Sequence, residues 1–159
     1  IWVDKGSKLS KVSEQESTDF EKCLYSVDAP LYLANGFLGL RLDHTLASCS
    51  ALIKRKDKNI ILLGKKDLII HVDELISLEL EVGTRFSLFP FKEVLGLTSY
   101  GLKYNISGVY FSPDSIIGTS NEVTSPKVEI SLRGSGMLLI LPICCLPRIL
   151  KTYGVLPLI

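Results

Sequence analysis

The sequence predicts a β-rich fold, all-β or α+β in class: an antiparallel β-sandwich of about seven to eight strands with a short N-terminal helix. Three observations point there. Short apolar runs recur along residues 54–143, separated by Gly, Pro, Asn and Asp, the spacing of a sandwich or barrel. Alanine is scarce, with only Ala29, Ala34, Ala47 and Ala51, whereas strand-favouring Ile and Val abound. Two segments alternate cleanly: Ile76, Leu78, Leu80 and Val82 against Ser77, Glu79 and Glu81, and Val128, Ile130 and Leu132 against Glu129, Ser131 and Arg133. Such alternation describes strands with one buried and one wet face.

The chain divides into three stretches: a polar segment 1–28, a sandwich domain 29–146 and a loose tail 147–159. In the first, Ser13 with Glu16 and Thr18 with Glu21 fit the capping-box spacing, which predicts a helix over about 14–26 with Phe20 and Leu24 on its apolar side. Asn35-Gly36, between Leu31-Tyr-Leu33 and Phe37-Leu-Gly-Leu40, reads as a hairpin turn. A helix across 42–53 is disfavoured by the Ser and Thr content. Apolar runs follow at Ile60–Leu63 and Leu68–Val72, then the first alternating segment, then Phe86–Phe91. Residues 112–127, rich in Ser, Thr, Pro and Gly, read as a loop. Gly134-Ser-Gly136 is a turn into the most apolar run, Met137–Leu146. That run is about half the ~20 residues a membrane-spanning helix needs, and Pro142 interrupts it. Pro147, Gly154 and Pro157 make 147–159 look loose, and residues 137–159, apolar and without alternating polar positions, look unlike the rest of the chain.

The 159 residues carry 18 Lys plus Arg against 17 Asp plus Glu, and this balance argues against nucleic-acid or membrane partners. At 47% hydrophobic residues the chain can bury a core. Its only methionine is Met137 and it opens on Ile1, so a piece of a longer polypeptide is expected. No apolar leader stands in 1–22. Cys23, Cys49, Cys144 and Cys145 match no zinc spacing and read as buried thiols, which leans toward a reducing, cytoplasmic compartment.

Each chemical motif has a structural reading that outweighs the functional one. Asp43-His44 lies near Cys49 and Ser50, yet no G-x-S-x-G elbow accompanies them. His71, on a strand beside Asp73 and Glu74, reads as a half-buried strand histidine. Glu79 and Glu81, about 7 Å apart along one strand face, have the spacing of glycosidic carboxylates but equally that of a solvated face. Lys54, Arg55, Lys56, Lys58, Lys65 and Lys66 lack interleaved aromatics for single-strand binding. They are expected to neutralise the five acids between Asp67 and Glu81. Asn105-Ile-Ser107 is a glycosylation sequon, relevant only to a secreted chain. The residues therefore assign no catalytic group, metal site or cofactor, and leave the ligand unknown.

One resemblance adds to this. Ile76-Ser-Leu-Glu-Leu-Glu-Val-Gly-Thr-Arg-Phe-Ser-Leu-Phe-Pro-Phe-Lys92, Gly101-Leu102, Asn105-Ile-Ser-Gly108 and Lys127-Val-Glu-Ile-Ser-Leu-Arg-Gly-Ser-Gly136 resemble the C-terminal β-sandwich of plant raffinose and stachyose synthases, in the alkaline α-galactosidase group. Thr98-Ser-Tyr-Gly-Leu102 departs from the family's Ala-Pro-Ile-Gly-Leu, and Leu138–Leu141 replaces its aromatics. The resemblance implies a non-catalytic accessory domain of a carbohydrate-active glycosyltransferase or hydrolase. Tyr100, Tyr104 or Tyr110 would then meet an oligosaccharide, and the remainder of the polypeptide would be the partner. Leu33-Ala-Asn-Gly-Phe-Leu-Gly-Leu-Arg41 is similar to a segment of disaccharide phosphorylases. The alternative is a self-standing interaction module, docking a protein through a sheet edge or the 112–127 loop.

Overall fold

The structure is a computed structural model that describes residues 6, 13–39 and 41–155. Ten strands form two sheets with three short helices around them. In chain order the elements are α1 (Asp19–Ser26), β1 (Tyr32–Asn35), α2 (Leu42–Lys54), β2 (Ile60–Leu63), β3 (Asp67–Val72), β4 (Leu75–Glu79) and β5 (Arg85–Pro90). They continue with β6 (Val94–Tyr100), β7 (Tyr110–Phe111), β8 (Gly118–Glu122), β9 (Lys127–Arg133), β10 (Met137–Pro142) and α3 (Leu146–Thr152).

One sheet has the order β1-β2-β3-β10-β5-β8 and the other β4-β9-β6-β7. Every named pair is antiparallel except β1 with β2. Between the sheets lies the main core: Leu68, Ile70, Phe86, Met137 and Leu139 meet Leu78, Val94, Phe111, Val128 and Ile130. The other face of the six-stranded sheet is covered by helices. Ile60, Leu62, Ile69 and Leu138 pack there with Phe20 and Leu24 of α1 and Ala51 and Leu52 of α2. The β-rich sandwich is as the sequence predicts.

The N-terminal helix is shorter than expected, Asp19–Ser26 rather than 14–26, because its capping box closes at Thr18 and Glu21. The Glu21 backbone N–H donates to Thr18 Oγ1 at 3.3 Å, and the Thr18 N–H donates to a Glu21 carboxylate oxygen at 2.9 Å.

Four local expectations fail. The hairpin at Asn35-Gly36 is absent. Gly36 does turn the chain, at φ 91°, but the chain continues into α2, and β1 pairs in parallel with β2. Parallel neighbours need a crossover, and α2 supplies it. The helix disfavoured over 42–53 therefore exists as Leu42–Lys54. Its hydroxyls do not compete with it: Thr45 and Ser48 donate to the carbonyls of Arg41 and His44, four residues back, at 3.2 and 2.8 Å. Burial of Ala51 and Leu52 then outweighs their modest propensity cost.

The loop expected at 112–127 contains β8, an edge strand on β5. Gly-Thr-Ser-Asn-Glu has no apolar alternation to announce a strand, and only Asn121 of it is buried. The tail is not loose through 155. Ile143–Cys145 makes one 3-10 turn, α3 follows with Pro147 in its first turn, and Ile149 is fully buried in the main core. β10, in the run that looked foreign, is a central strand flanked by β3 and β5.

Candidate functional site

Among the concavities of the described surface, four bear on function. The first lies where the segment after β6 passes β7 and β8. It is a cavity of about 240 Å³ lined by Leu88, Tyr104, Ile106, Phe111, Ile117 and Asn121, among others. Its walls are mostly apolar, and Tyr104 beside it is 61% exposed, with the Lys103 ammonium 5.9 Å from the ring centroid. Gly101 begins the segment with φ 77°, where a β-carbon would run into the Lys127 carbonyl. Residues 102–104 then lie along β8: Leu102 bridges Val123, and the Lys103 N–H donates to the Glu122 carbonyl at 2.9 Å.

Asn121 completes that pairing with its side chain. Its Oδ1 accepts from the backbone N–H of Tyr104 at 3.0 Å and of Glu122 at 2.8 Å, and its Nδ2 donates to the Tyr104 carbonyl at 2.7 Å. The preceding Ser120 has φ 61°, a left-handed conformation uncommon for a residue with a β-carbon. Its N–H donates to the buried Ser87 Oγ at 3.0 Å, where the β5–β8 register shifts. On the far side of Tyr104, Asn105 Oδ1 accepts from Ser107 N–H at 2.7 Å and from Ser99 Oγ at 3.1 Å. The sequon asparagine is thereby built into the wall.

The second concavity, about 920 Å³, opens between the start of α1, the turn at 36–39 and the start of α2. Lys22, Arg41 and His44 line it with Asp19 and Asp43. Arg41 grips Asp43 with two hydrogen bonds, Nε to Oδ1 at 3.2 Å and Nη2 to Oδ2 at 2.6 Å. That hydrogen-bonded guanidinium holds the Asp43 carboxyl down at about 2. Two helix N-termini face this groove, where backbone N–H groups favour anions. Asp43-His44, weighed in the sequence as part of a nucleophilic arrangement, belongs here, whereas Cys49 is buried under the helices and its thiol is pushed up by burial.

The third is a cleft of about 700 Å³ between β4 and α3. Glu79 and Glu81 do lie there, but they face Lys151 and Arg148 at 3.3 and 3.4 Å in exposed ion pairs. The fourth, about 130 Å³, borders His71, Asp73, Lys56, Lys58 and Tyr153. His71 is half-buried, as a strand histidine was expected to be, and its Nε2 is buried with no hydrogen-bond partner. The expected neutralisation of the basic run by the acids of 67–81 is not what forms. Lys54 meets Glu21 at 3.0 Å, Arg55 meets Asp57 at 2.9 Å and Lys58 approaches Asp28 at 3.8 Å. Asp67 pairs with Arg85 instead.

The four cysteines are free, but only Cys49 and Cys145 are buried; Cys23 and Cys144 are exposed. Burial is the main force that pushes the Cys145 thiol up to about 11. Among the described residues, no three His, Cys, Asp or Glu side chains gather to hold a metal ion, and no helix is long and apolar enough to cross a membrane. Of the three tyrosines considered for a sugar, only Tyr104 lines the apolar cavity. Sequence reasoning missed Asn121, since an asparagine in a Ser/Thr-rich stretch looks like a turn residue.

The fold and these concavities define a two-layer β-sandwich with an α/β edge, carrying an apolar cavity and a charged groove. Residues 69–137, from β3 to the start of β10, match the family described as thiamin pyrophosphokinase, vitamin B1 binding domain. The chain is 34% identical over 146 residues to thiamine pyrophosphokinase 2 of Oryza sativa subsp. japonica, covering 82% of this chain and 55% of that protein. It is 30% identical over 148 residues to thiamin pyrophosphokinase 1 of Caenorhabditis elegans, covering 82% and 60%. The chain thus spans little more than half the length of these relatives. Its fold is that of the thiamin pyrophosphokinase from Geobacillus thermodenitrificans, with a TM-score of 0.69 at 23% identity over 82% of this chain and 63% of that one. The yeast enzyme gives a TM-score of 0.61 at 18% identity over 75% and 41%.

These matches overturn the resemblance to raffinose and stachyose synthases, and with it the carbohydrate-active reading of the chain. The alternating strands that carried that resemblance are what any one-side-buried antiparallel sheet shows, so they could not tell the two families apart.

Proposed function

We propose that this chain is the thiamin-binding portion of a thiamin pyrophosphokinase, with the Tyr104 cavity taking the vitamin. The observation that carries the reading is where the family match falls. Residues 69–137 include Leu88, Tyr104, Ile106, Phe111 and Asn121, so the stretch matching a vitamin B1 binding domain is the stretch that walls the cavity. The chemistry suits the ligand. Thiamin has two flat aromatic rings, one cationic, and the exposed Tyr104 offers an aromatic ring for stacking above an apolar floor, a ring that already has the Lys103 ammonium 5.9 Å from its centroid.

The name of the relatives describes transfer of a diphosphate group to thiamin. The groove between α1 and α2 suits the phosphate side of that chemistry, because Lys22, Arg41 and His44 stand with two helix N-termini. Arg41 carries the groove's planar fork of donors, and a phosphate would take it over by displacing Asp43, which holds it with two hydrogen bonds.

Calorimetric titration of thiamin into the 159-residue chain tests the first assignment. Saturable binding is expected, with an affinity loss of about tenfold in Tyr104→Ala, the scale of one aromatic contact. Raffinose and sucrose should give no heat. Absence of thiamin binding, or an unchanged affinity in Tyr104→Ala, would sink the assignment. For the groove, inorganic pyrophosphate should bind the wild-type chain and bind Arg41→Ala more weakly.

A further inference from the structure

We infer that Asn121 is the positioning residue of the Tyr104 cavity: its side-chain amide holds the Tyr104 backbone so that the ring stands over the ligand. The inference rests on the thiamin reading for its ligand, and on the structure alone for its geometry.

Tyr104 follows a segment that pairs with the end of β8 about the Leu102–Val123 bridge, where the Thr124 N–H donates to the Gly101 carbonyl at 2.8 Å and the Lys103 N–H to the Glu122 carbonyl at 2.9 Å. At Tyr104 the backbone partner is missing and the Asn121 side chain replaces it. A carboxamide carries the same donor and acceptor as a peptide group, so it can bond both the N–H and the C=O of one residue. Asn121 does this at 3.0 and 2.7 Å, and it is only 7% exposed, so water cannot substitute cheaply. Its Oδ1 also accepts from Glu122 N–H at 2.8 Å, which fixes the side chain in one orientation. The unusual backbone just before it serves the same end. Ser120, at φ 61° and tied to the buried Ser87 Oγ, interrupts the β5–β8 ladder and leaves Asn121 as the single buried residue of β8. A residue held in a sparsely populated conformation beside a cavity marks a place where geometry matters more than local stability. The Tyr104 ring is exposed, so packing does little to aim it, and the backbone clamp must.

The test uses the 159-residue chain with thiamin as the probe, plus amide hydrogen exchange without any ligand. Asn121→Leu removes both polar arms at similar size. Asn121→Asp keeps the acceptor for Tyr104 and Glu122 and loses the donor. In Asn121→Leu, the Tyr104 amide should lose at least tenfold of its exchange protection, and thiamin should bind about tenfold more weakly. Asn121→Asp should fall between this variant and wild type, and it serves if the leucine variant does not fold. The decisive readout is coupling. Adding Asn121→Leu to Tyr104→Ala should weaken thiamin no further, because the residue it positions is already gone; a merely structural asparagine would give additive losses.

Additive losses, or unchanged Tyr104 exchange in both variants, would overturn the inference. If wild type and Tyr104→Ala bind thiamin equally or not at all, the thiamin reading fails. The exchange data then still decide whether Asn121 holds Tyr104.

Discussion

The two faces of the six-stranded sheet are buried by different means, and the contrast explains how this sequence reads. One face meets a second sheet, where Phe86, Leu88, Met137 and Leu139 interdigitate with Val128, Ile130 and Leu132. The other lies under α1 and α2, where Leu62, Ile69 and Leu138 meet Phe20, Leu24 and Leu52. A strand covered on both sides shows little polar alternation, and so Leu68–Ile70 and Met137–Leu141 appear as unbroken apolar runs. The four-stranded sheet has a wet outer face, and β9 accordingly alternates. An unbroken run next to an alternating one therefore reports a covering layer that is not itself visible in the strand pattern. Here that layer is the helix pair.

The comparison can be broken experimentally. The largest effect is expected between the sheets: Phe86→Ala should destabilise by about 3–5 kcal/mol in urea unfolding, since a fully buried ring leaves a cavity that two sheets cannot collapse. Leu52→Ala, on the helix side, should cost about 2–3 kcal/mol, because a helix can shift toward the sheet more easily than a hydrogen-bonded strand. If the order reverses, the helix layer is the more rigid of the two.

Thr18→Ala should cost about 1 kcal/mol through loss of the capping box, and amides of α1 should then exchange before those of β10. The same cap predicts a pH effect. The Thr18 N–H bonded to Glu21 is the main force lowering that carboxyl below its ordinary value, and Lys54 adds to it. Its contribution is present above the ordinary carboxylate range and is lost as pH falls through the lowered value. Melting followed across pH 3–6 should show a smaller decline in Glu21→Gln, which lacks the titrating carboxyl, than in wild type.

His71 should give the smallest effect. Burial lowers its imidazole below the ordinary 6.5, opposed by Asp73 and reinforced by Lys56; Lys58 and Tyr153 also border its cavity. The folded chain thus resists the proton that the unfolded chain takes up. Stability should be full above about pH 6.5 and decline as pH falls through the lowered value. His71→Leu should flatten that decline in melting curves taken between pH 5 and 7.5.

Strand content, the one-sided sheet and the presence of a helix in 14–26 were determined by the sequence alone, because each rests on period or on contacts a few residues apart; of the two capping boxes, only the structure shows that Thr18 and Glu21 start α1. The buried runs at β3 and β10 were legible as strands for the same reason. Tertiary structure decided what local rules opposed. It made α2 a helix despite its Ser and Thr, since Ala51 and Leu52 are buried by β2, β3 and β10 and not by neighbours in the chain. It placed Ile149 in the core and so ordered a stretch that Pro147 and Gly154 made look loose. It also built the candidate site. Tyr104 and Asn121 are 17 residues apart, and nothing in their spacing states that a carboxamide will stand in for a strand. Period reports which face is buried; only the assembled chain reports which groups meet there.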